Sequence, residues 1–172
     1  HKIERMSRPI GNRLPVITKL INPYIGSVLD LMTTMAGMHV ERKDLFLKKN
    51  YRLFGDISGI MNFSGHIEGS VTVSFTEDLA KDVIAKIMGI SPSDISDDDL
   101  RDGVGELINI ISGNAKAALS ETEFAHEIAL PAVIRGTGHE IRHPEGAPCM
   151  VVLFEAGGAS FCSASQHVCK KS

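Results

Sequence analysis

The sequence predicts an α+β domain with a pseudo-two-fold, in which helices pack on an antiparallel or mixed six-stranded sheet. Three observations carry that prediction. Segments of alternating apolar and polar residues, bounded by Gly, Pro, Asn or Ser, come in two blocks of three. Helical periodicity precedes each block. The run Ile25-Gly26-Ser27-Val28-Leu29-Asp30 also lines up with Val104-Gly105-Glu106-Leu107-Ile108-Asn109, and strands follow each copy. The order helix, strands, helix, helix, strands fits helices laid on a sheet.

The first helix is expected from Asn22-Pro23, with Asn22 as N-cap, Pro23 at N1 and Gly37 near the end. It carries Tyr24, Ile25, Val28, Leu29, Leu31, Met32 and Met35. Residues 1–20 are then an N-terminal extension and 21–172 a single domain. Met6-Ser7 reads as a natural start, so residues 1–5 are expected to be at least partly a cloning remnant. Strands are expected over 38–47, 53–63 and 69–75, where Val71, Val73 and Phe75 alternate with Thr72 and Ser74. Thr76-Glu77-Asp78 caps a short helix bearing Leu79, Val83, Ile84, Ile87 and Met88, which stops at Gly89 before Ser91-Pro92. Asp97, Asp98 and Asp99 place negative charge at the start of a long helix to about Glu121, where the helix dipole favours it. Three further strands are expected over 128–137, 147–154 and 159–168.

Composition excludes several classes of function. Eighteen basic residues against 21 acidic give a formal charge of −3, no footprint for nucleic acid or an anionic membrane surface. No apolar run approaches the roughly 20 residues of a membrane span. Residues 1–13 are polar and basic with no apolar segment behind them, so no signal peptide is expected and the cytoplasm is. Cys149, Cys162 and Cys169 are odd in number and lack C-x-x-C spacing, which points to reduced packing residues.

The chemistry concentrates on the long helix. At 100° per residue, Leu100, Val104, Leu107, Ile108, Ile111, Ala115, Ala118 and Leu119 gather on a core face. Asp102, Glu106, Asn109, Gly113 and Lys116 fall opposite, with Glu106 and Asn109 one turn apart. A polar face is ordinary for an amphipathic helix, and an acid and an amide three apart recur by chance. Asn, however, competes for the backbone, and Gly105 and Gly113 each weaken an exposed helix by about 1 kcal/mol against Ala. Small residues around an acid and an amide suit the close approach of another protein.

The segment from Asp102 to Ala115 resembles the signature helix of the CheX, CheC and FliY chemotaxis phosphatases, whose motif is Glu, two residues, Asn. The resemblance runs from about Ile21 to Val168 and takes in the strand Gly55-Asp56-Ile57-Ser58-Gly59, the 69–75 strand and the helix that follows. One motif copy per chain looks like the CheX branch, because Ser27 and Asp30 stand where a second copy would put Glu and Asn. The resemblance implies one active site, with Glu106 and Asn109 catalytic. Asp102, Gly113 and Lys116 of the stripe, with Gly105 beside it, would contact the partner, a phosphorylated CheY-like response regulator. It also implies a homodimer formed through the sheet, no metal or cofactor on this chain, and Mg²⁺ on the regulator.

An aspartyl phosphate beside its own Mg²⁺ and lysine needs little beyond a water placed in line, which an amide can supply. Asn109 would orient that water. Glu106 would be repelled by the phosphate unless it met a cation; the resemblance implies that this cation is the regulator's lysine, to which Glu106 would anchor and not act as a base. A non-enzymatic adaptor binding a regulator or flagellar-switch component through the same helix is the alternative. Retention of both residues favours the enzyme.

One competing motif is present. His139-Glu140-Ile141-Arg142-His143 matches H-E-x-x-H, but that zinc motif requires a helix. Gly136-Thr137-Gly138 before it and Pro144-Glu145-Gly146 after it predict turns between strands. His39, His66, His126 and His167 lack ligand spacing and are expected as surface or partly packed residues. Gly11 and Gly157-Gly158 lack the setting of a phosphate loop, and Ser64, Ser112 and Ser160 that of a nucleophile elbow.

Overall fold

The computed structural model describes residues 14–143 and 148–169. In chain order the elements are α1 (Leu14–Thr34), β1 (Val40–Lys48), β2 (Arg52–Gly65), β3 (Ile67–Phe75), α2 (Glu77–Met88) and a 3₁₀ turn (Pro92–Asp94). Then follow α3 (Asp97–Leu119), β4 (His126–Ile128), β5 (Ala132–Arg142), β6 (Cys149–Ala156) and β7 (Ala159–Cys169). The α+β class holds, with seven strands among the described residues in place of six. The additional strand arises because Ala129, Leu130 and Pro131 interrupt what alternation reads as one strand; Pro131 has no N–H to offer a ladder. β4 and β5 both pair with β2, at its two ends.

α1 begins at Leu14, well before the expected cap, and carries Pro23 inside it. Proline removes one helical hydrogen bond, but Leu20 and Ile21 before it and Tyr24 and Ile25 after it are all buried. Burial on both sides keeps the helix continuous. α2 starts at the Thr76 cap and ends on Gly89 in the left-handed region, as its turn chemistry predicts.

All the strand pairings are antiparallel. The order β1-β6-β7-β3-β2, closed by β4 and β5, reads as a palindrome: β1 corresponds to β4/β5, β2 to β6 and β3 to β7. That is the pseudo-two-fold expected from the six-residue match. With this register a flat sheet would hold Lys48 and Arg52 more than about 30 Å apart. The link through residues 49–51 reaches about 14 Å at most. β2 therefore leaves the sheet at the irregularity between Gly55 and Ile57, and its first residues cross the sheet with the end of β5. Tyr51 accordingly lies 3.7 Å from Cys162 Sγ of β7 and packs edge-on to Phe46 of β1. Gly55 permits this crossing, since a Cβ there would stand 2.0 Å from Ser74 Oγ.

The main core lies between the helices and the opposite face of the sheet, joining Val28 and Met32 of α1 and Val83 of α2 to Leu100, Ile108 and Ile111 of α3 over Ile57, Val73, Val152 and Phe154. A satellite cluster of Leu20, Phe63, Ile67, Leu119 and Phe124 closes one end. There His126 is fully buried, deeper than the surface or partly packed position expected for it. Its Nδ1–H donates to the Phe124 carbonyl at 2.8 Å and its Nε2 lies 3.1 Å from the Tyr24 hydroxyl.

Candidate active site

α3 is started by a capping box. Ser96 Oγ accepts from Asp99 N at 3.0 Å, and Asp99 returns the bond to Ser96 N at 3.1 Å. The expected core face is buried from Leu100 to Leu119, except that Ala118 is exposed. It sits in the last turn, where Leu119 alone turns into the satellite cluster.

On the outer face Asp102 and Glu106 are exposed and Asn109 is half-buried. One helical turn brings Glu106 and Asn109 side by side. Neither hydrogen-bonds or ion-pairs with another described residue. Gly113 continues the stripe, with no atom within 4 Å of where its Cβ would be. The other two expected contact residues lean toward the sheet edge. Gly105 is half-buried and faces Val133 of β5, 3.4 Å from a would-be Cβ. Lys116 is bound to Glu127 of β4 at 2.6 Å, and holds that carboxyl below its usual range.

Two features flank the stripe that periodicity does not announce. Toward α2, an apolar groove of about 260 Å³ opens beside Asp99, Asp102 and Glu106, walled by Ile84, Met88, Ile110 and Met35. The available signal was Met35 and Met88, each the last apolar residue of a predicted helix. Toward β5, Arg135 ties together the N-termini of both helices. Its Nε donates to Asp97 at 2.8 Å and its second guanidinium arm to Glu77. Arg135 holds the carboxyls of Glu77 and Asp97 below their usual range, and they raise its own affinity for a proton. Asp56 joins the cluster by accepting from the backbone N–H of Glu77 and Gly138, both at 2.9 Å, which lowers its pKa.

His139 and Glu140 lie on β5 and His143 just beyond it. In extended chain, positions four apart are about 13 Å from each other, far beyond a shared zinc ion. The His139 ring is engaged instead: Nδ1–H donates to the Gly136 carbonyl at 2.9 Å, and Nε2 lies 2.7 Å from Ser58 Oγ. Among the described residues no three His, Cys, Asp or Glu are placed to hold a metal ion. Cys149 is buried and Cys162 half-buried; burial pushes both thiols up to about 11, so they are protonated packing groups at neutral pH. The side chain of Cys169 lies outside the described residues, as does that of His167.

Comparison with known proteins places this arrangement. Residues 57–155, from mid-β2 through α3 to β6, match the model of the family described as chemotaxis phosphatase CheX. The chain belongs to the CheX family. A crystal structure of CheX from Desulfovibrio desulfuricans is 33% identical and superposes with a TM-score of 0.77, covering 88% of this chain and 99% of that one. The CheY-P phosphatase CheX of Thermotoga maritima is 23% identical over 124 residues, 72% of this chain and 80% of the relative. The CheX of Borrelia burgdorferi, solved in complex with CheY, BeF₃ and Mg²⁺, shares the fold at a TM-score of 0.72 and 23% identity, over 86% and 97% of the two chains. Among described residues no helix is long and apolar enough to cross a membrane.

Proposed function

We propose that this chain accelerates hydrolysis of the aspartyl phosphate on a CheY-like response regulator. The observation that carries the proposal is the Glu106 and Asn109 pair: adjacent, turned away from the core, and without a partner among the described residues, on the helix that resembles the phosphatase signature. The T. maritima relative, named a CheY-P phosphatase, supports the reaction class. The B. burgdorferi complex supports the partner class, with Mg²⁺ entering alongside the regulator.

In this reading α3 lies across the regulator's phosphorylation site. Asn109, with a carbonyl acceptor and an amide donor, holds a water in line with the phosphorus. The water oxygen attacks phosphorus, the P–O bond to the aspartyl carboxylate breaks, and inorganic phosphate leaves. Glu106 accepts from the regulator's lysine, an attraction that grows as the interface excludes water, and so fixes Asn109's position. Asp102 and Gly113 give that contact its rim and its clearance, while Gly105 and Lys116 set the helix against the sheet edge. We place the reaction in the cytoplasm. We also assign a homodimer through the sheet, with Phe54 and Ile134, both exposed on β2 and β5, available to it.

The test is phosphate release from receiver domains charged with acetyl phosphate. Asn109→Ala is expected to abolish acceleration while leaving regulator binding largely intact, and Glu106→Ala to weaken both. An Asn109→Ala protein that releases phosphate at the parental rate would sink the assignment. Binding without acceleration by the parent chain would make it an adaptor.

A further inference from the structure

The groove beside Glu106 lies on the flank of α3 that faces α2, and its lining is almost wholly apolar: Ile84, Ile87 and Met88 from α2, Leu107 and Ile110 from α3, and Met35 just past α1. Met35 and Met88 remain 42% and 48% exposed and meet across the same groove. Exposed methionines at a rim form an adaptable contact surface, because their unbranched side chains repack at little strain. At about 260 Å³ the groove is smaller than the roughly 300–1,000 Å³ of an ordinary small-molecule site and suits one or two apolar side chains.

Its α3 wall carries the charge. Asp99, Asp102 and Glu106 border the apolar floor. Asp102 and Glu106 are like charges at i, i+4, a pairing that disfavours the helix, and neither meets a cation among the described residues. An anionic occupant would add to that repulsion. One carrying a lysine or arginine would relieve it.

We infer that this groove receives an apolar side chain flanked by lysine or arginine from the regulator's receiver domain, and thereby selects which regulator is accepted. The identity of the occupant rests on the phosphatase reading. Glu106 belongs to both the groove and the catalytic stripe, so an occupant of the groove adds binding area directly beside the face that meets the phosphorylation site. Contacts of this kind persist equally in ground and transition states, and are read in KM with kcat preserved.

Met88→Asp and Met35→Asp test this at positions exposed enough to keep the fold, which thermal melts verify for each. Phosphate release is measured on receiver domains charged with acetyl phosphate, and binding on the same domains held with beryllofluoride and Mg²⁺. Each variant is expected to raise KM about tenfold, the effect of losing one apolar anchor, with kcat little changed. Met88→Leu, which keeps the apolar surface, restores binding. Asp102→Lys raises KM and removes part of its salt dependence. Unchanged KM and affinity in both aspartate variants, while Asn109→Ala stops phosphate release, overturns the groove and leaves the phosphatase reading standing. Binding that falls in the aspartate variants with no phosphate release by any form supports the groove and overturns that reading. A parent chain that neither binds nor dephosphorylates any receiver domain overturns both.

Discussion

Residues 25–30 of α1 and 104–109 of α3 share one pattern but serve opposite ends. Ile25 and Val104 are buried in both, as are Val28 and Leu107. The difference lies at the third position. Ser27 is 6% exposed and accepts a 3.2 Å hydrogen bond from Asn114 Nδ2, so it belongs to the contact between α1 and α3. Glu106 is exposed and bonds to no other described residue. A repeat fixes which face of each helix meets the sheet; the neighbour that packs on the flank decides whether the rest is free for a partner. For position 27 that neighbour is α3 itself, while no described residue bonds to the side chain at position 106.

Restoring the motif in α1 breaks the comparison most severely. Ser27→Glu removes the bond from Asn114 and drives a carboxylate into the α1–α3 contact, which is expected to cost about 3 kcal/mol or more. Asp30→Asn, at an exposed position, stays within about 0.5 kcal/mol. Urea unfolding of each single variant measures the contrast. A Ser27→Glu chain as stable as its parent would show that position 27 does not face α3.

Next in size is Gly103→Ala, which probes the flank of α3 on the catalytic side. An added Cβ would meet Ile84 Cδ1 at 2.6 Å and Cγ1 at 2.9 Å, so α2 must move away from α3. Overpacking of this kind costs about 1–3 kcal/mol. Adding Ile84→Val removes the nearest atom and should recover part of the loss, since contacting sites are not additive. Full additivity of the two changes in a double-mutant cycle would deny that they touch.

The same comparison shows what was legible in the sequence and what was not. Periodicity located all three helices and the strands around Val71-Val73-Phe75, because burial imposes a period on side-chain chemistry. It also put Glu106 and Asn109 on the open face. It misjudged the start of α1, because the local preference of Pro23 for a helix start was overridden by burial of Leu20 and Ile21. It read β4 and β5 as one strand, because alternation carries through a break at Pro131. Arg135 and the groove were not legible. Each is made by residues far apart in the chain, Arg135 with Glu77 and Asp97, Met35 with Met88, and no local pattern encodes such meetings.

Arg135 gives a milder test, read in pH. Glu77 and Asp97 have lowered pKa values when folded because Arg135 hydrogen-bonds both. The stability they contribute is fully present above their unfolded values of about 4 and is lost as pH falls through the lowered folded values. Arg135→Gln should therefore flatten the fall in Tm between about pH 5 and about pH 3 relative to the parent. Parallel Tm profiles for the two chains would mean the cluster stores no pH-dependent stability.

The smallest effect separates stability from function on α3 itself. Gly113 lies in the outer stripe, and a Cβ there meets nothing within 4 Å, so Gly113→Ala should stabilise the helix by up to about 1 kcal/mol. A purely structural glycine at an open position would long be better as alanine. If its smallness instead serves the approach of the regulator, the more stable variant should show a higher KM for phosphate release, with its melting temperature raised. A gain in stability with KM unchanged would remove Gly113 from the contact surface and leave Asp102, Glu106 and Asn109 to carry it.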